Sequence, residues 1–207
     1  MTHSDPMPPS RDDEADRRES NDRDVELMGM VSAGDMRAFE ELVERHQRSV
    51  IGTVAKMLGN PSEAEDIAQQ VFVRVWKSAG RYEAQAKFTT WLFTITRNLV
   101  FNEVRRRQRK PTVSVDEREE TTHRTVEDSQ AISPDDGMLQ AELEEAINRA
   151  IQNLPEKQRM AVVLRRYEEM PYDEIAVVLE MSIPAVKSLL FRARTQLKEA
   201  LQRYLDA

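Results

Sequence analysis

The side chains best equipped for chemistry are few in this sequence. Histidine stands only at His3, His46 and His123, and there is no cysteine. The missing thiols exclude disulfides and thiolate metal sites. Neither a phosphate-cradling glycine loop nor an HExxH pair of metal ligands is present. His3 and His123 fall in polar segments, and His46 sits alone on the stripe of an amphipathic helix, so no convergent ligand set forms around any of them. What remains is charge. Residues 97–110 carry six bases and one acid, and residues 182–203 carry five bases and one acid. A helix C-terminus favours one or two cations through its dipole. Arg105, Arg106, Arg107, Arg109 and Lys110 fill five of six positions, which points to a polyanionic partner. Lysine and arginine gain free energy at phosphates by releasing counterions. The chemistry on offer is therefore binding, with no enzyme activity and no cofactor expected.

Helices must hold these cations in place. Phe39, Leu42, Val43, His46, Val50, Val54 and Met57 recur at helical spacing. Gly59, Asn60 and Pro61 break that helix, and Ser62 with Glu65 has the form of a capping box for the next, over Glu63 to about Ser78. There Ala64, Ile67, Ala68, Val71, Phe72 and Val75 face inward, while Asp66, Gln69, Gln70, Val73, Arg74 and Lys77 face outward. After a connection from Ala79 to Lys87, a helix from about Thr89 to Arg107 buries Trp91, Leu92, Ile95 and Leu99. Aromatic side chains beside a basic helix also suit unstacked bases, but periodicity assigns Trp91 to the core. Helical spacing resumes at Met138, and Pro155 opens another helix with Met160, Val163 and Leu164 inside. At the end, Ile175, Ala176 and Leu179 line a short helix and Glu180 and Met181 turn the chain. Ser182 then caps a helix whose inner stripe is Val186, Leu189, Leu190 and Ala193, with Lys187, Arg192 and Arg194 projecting elsewhere. A short helix, a tight turn and a basic second helix make a helix-turn-helix.

Composition agrees with an all-α fold. Aromatics are 6% and glycines number 6, so turn punctuation for strands is sparse. The net charge of −7 argues against nucleic acid until its distribution is considered. Residues 1–24 hold eight acids and four arginines, and residues 111–137 hold eight acids and two arginines. Both read as disordered, too polar to repay the entropy of ordering. The organisation expected is a disordered acidic leader at 1–24, a helical domain at 25–110, a flexible acidic linker at 111–137 and a second small helical domain at 138–207. No apolar run reaches the ~18 residues of a membrane span, and the N-terminus lacks a signal's apolar centre, so a cytoplasmic protein is expected, with no membrane insertion.

Taken together, these residues resemble the extracytoplasmic-function (ECF) sigma factors of the sigma-70 family. GDMRAFEELVERH, NPSEAEDIAQQVFVRVWKS and KFTTWLFTITRNLVFNEVRRRQRK match the sigma-2 domain in order, and NLPEKQRMAVVLRRYEEMPYDEIAVVLEMSIPAVKSLLFRAR matches sigma-4. The likeness covers about residues 25–110 and 138–203. It implies that Asp66, Gln69, Gln70, Val73 and Arg74 grip the core RNA polymerase, on the clamp helices of its largest subunit. It implies that the Ala79–Lys87 loop, with Arg81 and Lys87, captures a flipped base of the minus-ten element, and that Asn98, Asn102, Arg105 and Arg106 contact the opened strand. The helix from Ser182 becomes the minus-thirty-five reader, with Ala185, Lys187, Ser188, Arg192 and Arg194 at its contacts. The acidic linker would run through the RNA channel of the polymerase.

The resemblance further implies transcription initiation, in a stress or envelope-type response, with promoter DNA, core RNA polymerase and an anti-sigma factor as partners. Glu180 stands where many relatives carry Gly, Leu189 where many carry Arg, and Pro171 where a small polar residue is frequent, which leaves the promoter sequence open. Two other readings compete: a helix-turn-helix regulator acting without core polymerase, and a helical adaptor touching no DNA. The regulator needs neither the outer face from Asp66 to Arg74 nor a base-capturing loop, and the adaptor would tolerate charge reversal of Lys187, Arg192 and Arg194.

Overall fold

In the computed structural model, residues 11–109 and 134–205 are described, and every regular element among them is helical. The order is α1 (Arg11–Ser32), α2 (Met36–Leu58), α3 (Pro61–Ser78), a 3₁₀ turn (Ala79–Arg81) and α4 (Phe88–Arg109), then α5 (Pro134–Gln152), α6 (Glu156–Arg166), α7 (Tyr172–Leu179), α8 (Ile183–Ala200) and α9 (Gln202–Leu205). Asp35 caps α2, its Oδ1 accepting from the backbone N–H of Arg37 at 2.8 Å and of Ala38 at 3.2 Å. The stripe foreseen on α2 is buried at Leu42, His46, Val50, Val54 and Met57. It packs against the inner face of α3, where Ala64, Val71 and Val75 are fully buried.

Three local expectations need correction. The cap of α3 is Asn60, not Ser62: the Asn60 side chain accepts from the Ser62 N–H at 3.0 Å, and Pro61 begins the helix. Proline suits that first position because its missing N–H would have had no intrahelical partner. The second change concerns the leader. Residues 1–10 and 110–133 lie outside the described residues, but 11–24 form the first part of α1 rather than disorder. Their anchors are polar. Asp24 is 1% exposed, and its carboxylate lies 2.8 Å from Arg45 Nε and 2.9 Å from His46 Nε2. Arg23 reaches Glu41 with two nitrogens, and Asn21 Oδ1 accepts the Phe88 N–H at the start of α4 at 2.9 Å. Leu27, Met28 and Val31 then bury the next turns. Third, α5 begins at Pro134, inside the span assigned to the linker.

The two halves share one core. A continuous apolar cluster runs from Leu42, Val54 and Leu92 to Leu164, Ile175 and Leu190. Helix α4 packs on α7, and α2 packs on both α5 and α6. The C-terminus of α2 shows how polar groups complete the joint. A helix ends with carbonyls that lack intrahelical donors. Here Gln152 Nε2 donates to the Lys56 carbonyl, Arg159 Nη1 to that of Met57, and Arg107 Nη1 to that of Leu58. Beside them, the Lys56 ammonium lies 4.1 Å from the centre of the Tyr167 ring.

Gly59 turns the chain there with φ +70°, and a Cβ on it would stand 3.1 Å from Gln152 Oε1. Gln152 is held by its bonds to Lys56 and Arg159, so it has little room to yield. Gly59→Ala should therefore cost about 1–3 kcal/mol of unfolding free energy, read from the urea midpoint. An unchanged midpoint would show that the joint relaxes freely.

Candidate polymerase and nucleic-acid interfaces

Helix α3 presents Asp66, Gln69, Gln70, Val73 and Arg74 on one solvent-facing side, because residues three and four apart share a helix face. Val73 is 50% exposed in the midst of these polar groups. A large apolar residue ringed by polar ones is the anatomy of a protein interface, an apolar centre within a polar rim.

Helix α4 carries the candidates for the minus-ten element. Asn98, Asn102, Arg105 and Arg106 are all exposed. Asn102, Arg105, Arg106 and Arg109 line a shallow basin of about 450 Å³. Arg106 is held by Glu103, with Nε 2.7 Å and Nη2 2.8 Å from the carboxylate, and Arg107 adds a contact at 3.2 Å. Arg81 is exposed on the 3₁₀ turn, and Lys87 is half-buried just before α4. The structure thus separates the set into two groups: at 1.5 Å per residue, Lys87 and Arg105 lie about 27 Å apart along the axis. Lys87 is also engaged already, 2.7 Å from Glu174 of α7.

Between the groups, aromatic rings pack together at the start of α4. Phe88 is fully buried and Phe93 nearly so, while Trp91 is half-buried with its ring 5.0 Å from Tyr82 and 5.9 Å from Phe88. Burial pushes the Tyr82 hydroxyl above its ordinary pKa, and the Asp24 charge adds to that push.

Glu103 ties the basic end of α4 together. The hydrogen bond from Arg106, and then that from Arg107, holds its carboxyl below the usual carboxylate value of 4.5, against the opposing effect of burial. A depressed folded-state value means stability that is present above about pH 4.5 and lost as pH falls through the folded-state value. Glu103→Gln should therefore flatten the acid side of the stability curve, read as urea midpoints compared at neutral pH and below pH ~4. An equally steep acid loss in the variant would show that the carboxylate contributes nothing.

On α8, Val186, Leu190 and Ala193 face the core. Ser182 caps the helix, its Oγ accepting from the Ala185 N–H at 3.4 Å. Lys187, Ser188, Arg192 and Arg194 are exposed, while Ala185 is half-buried. Two further residues stand out in the structure. Phe191 is 62% exposed in the middle of the basic face, between Lys187 and Arg192 in helical projection. Its signal was an aromatic side chain on the polar side of an amphipathic helix. Arg97 adds to the basic charge of α4, yet it is buried to 8% exposure, and its Nη2 is bonded to Glu180. Glu180 itself ends α7 with φ +54°, a left-handed conformation that glycine adopts without strain.

Comparisons with known proteins bear on both halves. Sigma-70 region 2 matches residues 42–110, and Sigma-70, region 4 matches residues 144–197. The chain is 34% identical over 191 residues to the RNA polymerase sigma-H factor of Pseudomonas aeruginosa, covering 90% of this chain and 97% of that one. It is 32% identical to the ECF RNA polymerase sigma factor SigW of Bacillus subtilis, covering 83% of this chain and 93% of that one. The ECF RNA polymerase sigma-E factor of Escherichia coli is likewise 32% identical, with coverage of 86% and 94%. Among solved structures, CnrH in complex with the cytosolic domain of CnrY aligns with a TM-score of 0.64 at 24% identity, over 87% of this chain and 98% of that one. The sigma factor RpoE of Bartonella quintana, in complex with the anti-sigma factor NepR, gives 0.62 at 22% identity, over 81% and 98%. At these identities the structural likeness speaks for the fold alone. The sequence matches carry the assignment, and the chain belongs to the sigma-70 family, in its extracytoplasmic-function branch.

Proposed function

We propose that this chain recruits core RNA polymerase to promoters and helps to open them, the chemistry of RNA synthesis remaining with the polymerase. The observation that carries this reading is the presence, in one chain and in order, of both regions with their outward faces intact: α3 with a mixed polar and apolar surface, and α8 with a basic one. Residues 25–110 then serve core binding and the minus-ten element, and residues 138–207 the minus-thirty-five element. Asp66, Gln69, Gln70, Val73 and Arg74 meet the polymerase. Arg81 and Lys87 border the loop that receives an unstacked base, and Asn98, Asn102, Arg105 and Arg106 follow the opened strand. Unstacking costs a few kcal/mol per base, which a pocket and backbone cations must offset.

Lys187, Ser188, Arg192 and Arg194 meet duplex DNA along the face of α8, with Ser182 and Ala185 at its N-terminal end. The exposed Phe191 ring supports an apolar contact on that face, of the kind a thymine methyl offers in the major groove. An anti-sigma factor is proposed as the regulator, in keeping with the Bartonella protein's complex with the anti-sigma factor NepR, and the response as one of the stress or envelope type. The site of action is the cytoplasm, and no described helix is long and apolar enough to cross a membrane.

The test is transcription in vitro with purified core polymerase on pooled fragments of the source genome. Discrete start sites that depend on the chain support the reading. Binding of duplex DNA with no binding to core would overturn it in favour of a regulator that works without polymerase.

A further inference from the structure

The seam between α4 and α7 has an uneven chemistry. From the first region it presents donors: Lys87 Nζ stands 2.7 Å from Glu174 Oε1, Thr90 Oγ1 donates to Glu174 Oε2 at 3.2 Å, and Arg97 Nη2 donates to Glu180 Oε1. From the second region it presents carboxylates. The same polarity continues next to it, where Ser49 and Thr53 donate to Glu168 and Arg17 pairs with Glu169. Thr90 and Arg97 lie on one side of α4, about 10 Å apart along its axis. Cations and hydroxyls arranged along a helix are the groups that proteins turn towards phosphate oxygens.

Arg97 is the most telling member. Its side chain is 10% exposed, yet its acceptor Glu180 is 72% exposed. Its Nε is buried and has no hydrogen-bond partner among the described residues. The guanidinium is packed over the Phe101 ring, 5.9 Å from its centre. A buried cation answered by one exposed carboxylate is a poor arrangement for stability, since desolvation consumes most of the attraction. It is a good arrangement for a rigid, pre-oriented fork awaiting an oxyanion. The bond from Arg97 holds the Glu180 carboxyl below the usual carboxylate range, so it stays an anion. Glu180 delivers that anion from a left-handed backbone, a conformation that strains a non-glycine residue.

We propose that Lys87, Thr90 and Arg97 form a phosphate-binding row for the promoter strand, which the closed chain occupies with its own Glu174 and Glu180. The two carboxylates stand where backbone phosphate oxygens bind, so closure of the second region on the first and engagement of the strand exclude each other. This rests on the promoter-binding function proposed above. It adds Thr90 and Arg97 to the strand contacts and makes α7 an internal competitor. Opening the seam then frees the row and separates the two DNA-reading helices in one step.

The experiment uses the full chain without polymerase and a fluorescein-labelled, mixed-sequence single-stranded oligonucleotide, followed by anisotropy. E174Q/E180Q keeps side-chain size and removes the competing charges. It should bind about tenfold tighter, with a log–log salt slope steeper by about 1.4 for two further phosphates. Adding K87Q and R97Q should abolish the gain. E180Q alone, at an exposed side chain, should give a smaller gain in the same direction, and circular dichroism checks that each variant keeps its helices. Unchanged affinity and slope in E174Q/E180Q, or a gain that survives K87Q/R97Q, would overturn the proposal. Transcription by the unaltered chain with core polymerase, run beside it, separates the two levels. Normal initiation with unresponsive oligonucleotide binding overturns only the blocked row, whereas no initiation despite core binding overturns the function on which it rests.

Discussion

Reversing Lys187, Arg192 and Arg194 together to glutamate is expected to lower the affinity of the polymerase–sigma complex for promoter duplex by at least about 100-fold. Each lost phosphate contact removes about 0.9 from the log–log salt slope, which at about 0.15 M salt is worth roughly fivefold in affinity. Three such losses multiply to about two orders of magnitude, and the reversed signs add repulsion. All three side chains are exposed and none lies on the inner stripe of Val186, Leu190 and Ala193, so the fold should survive. The measurement is promoter binding across a salt series, with core binding as the internal control. A slope shallower by about 2.7 with core binding retained places α8 on the DNA backbone; an unchanged slope removes it from there.

The second large effect is expected at a residue with no role in DNA binding. Asp24→Ala should destabilise the chain by about 3 kcal/mol. Asp24 is 1% exposed and is the anionic partner of both Arg45 and His46. Removing one partner of a buried pair leaves the others desolvated and unanswered, typically at about 3–5 kcal/mol. The lower end applies because the Arg45 side chain keeps 31% of its exposure and can turn towards water. For a chain of this size the midpoint of thermal unfolding should fall by about 6–12 °C. A change within about 1 °C would mean that the first turns of α1 are attached to the bundle by something other than this carboxylate.

That prediction also marks where the sequence was hard to read. The α2 stripe, the α3 inner face and the Ser182 cap were all legible, because each is a repeating or short-range pattern. Leu42, Val50 and Met57 announce a buried face by spacing alone. Asp24 announces nothing: it becomes a core residue only because Arg45 and His46 lie across from it on another helix. The same holds for Asn21 at the start of α4 and for Gln152 and Arg159 at the end of α2. Polar contacts between distant segments have no periodicity, so a polar leader reads as disorder, and the packing of the two regions against each other leaves no mark in the sequence. Asn60 is hard to recognise as a cap for a more local reason. Pro61 reads as a break, although proline is well suited to a first helical turn. Within the candidate site, the exposed faces of α3 and α8 followed from helical projection, whereas the engagement of Lys87 with Glu174 needed the neighbouring region in place.

The core shared by the two regions has a thermal consequence. Parting them would expose apolar surface around residues such as Leu92 and Ile175, so opening carries a positive heat-capacity change. Apolar association weakens on cooling, while the seam's ion pairs weaken with added salt. The chain should therefore open more readily in the cold than near its temperature of greatest compactness, with chloride and sulfate acting differently on the same equilibrium. The joint between the two regions is in effect a thermometer, with a scale set by the ratio of oil to charge along α4 and α7.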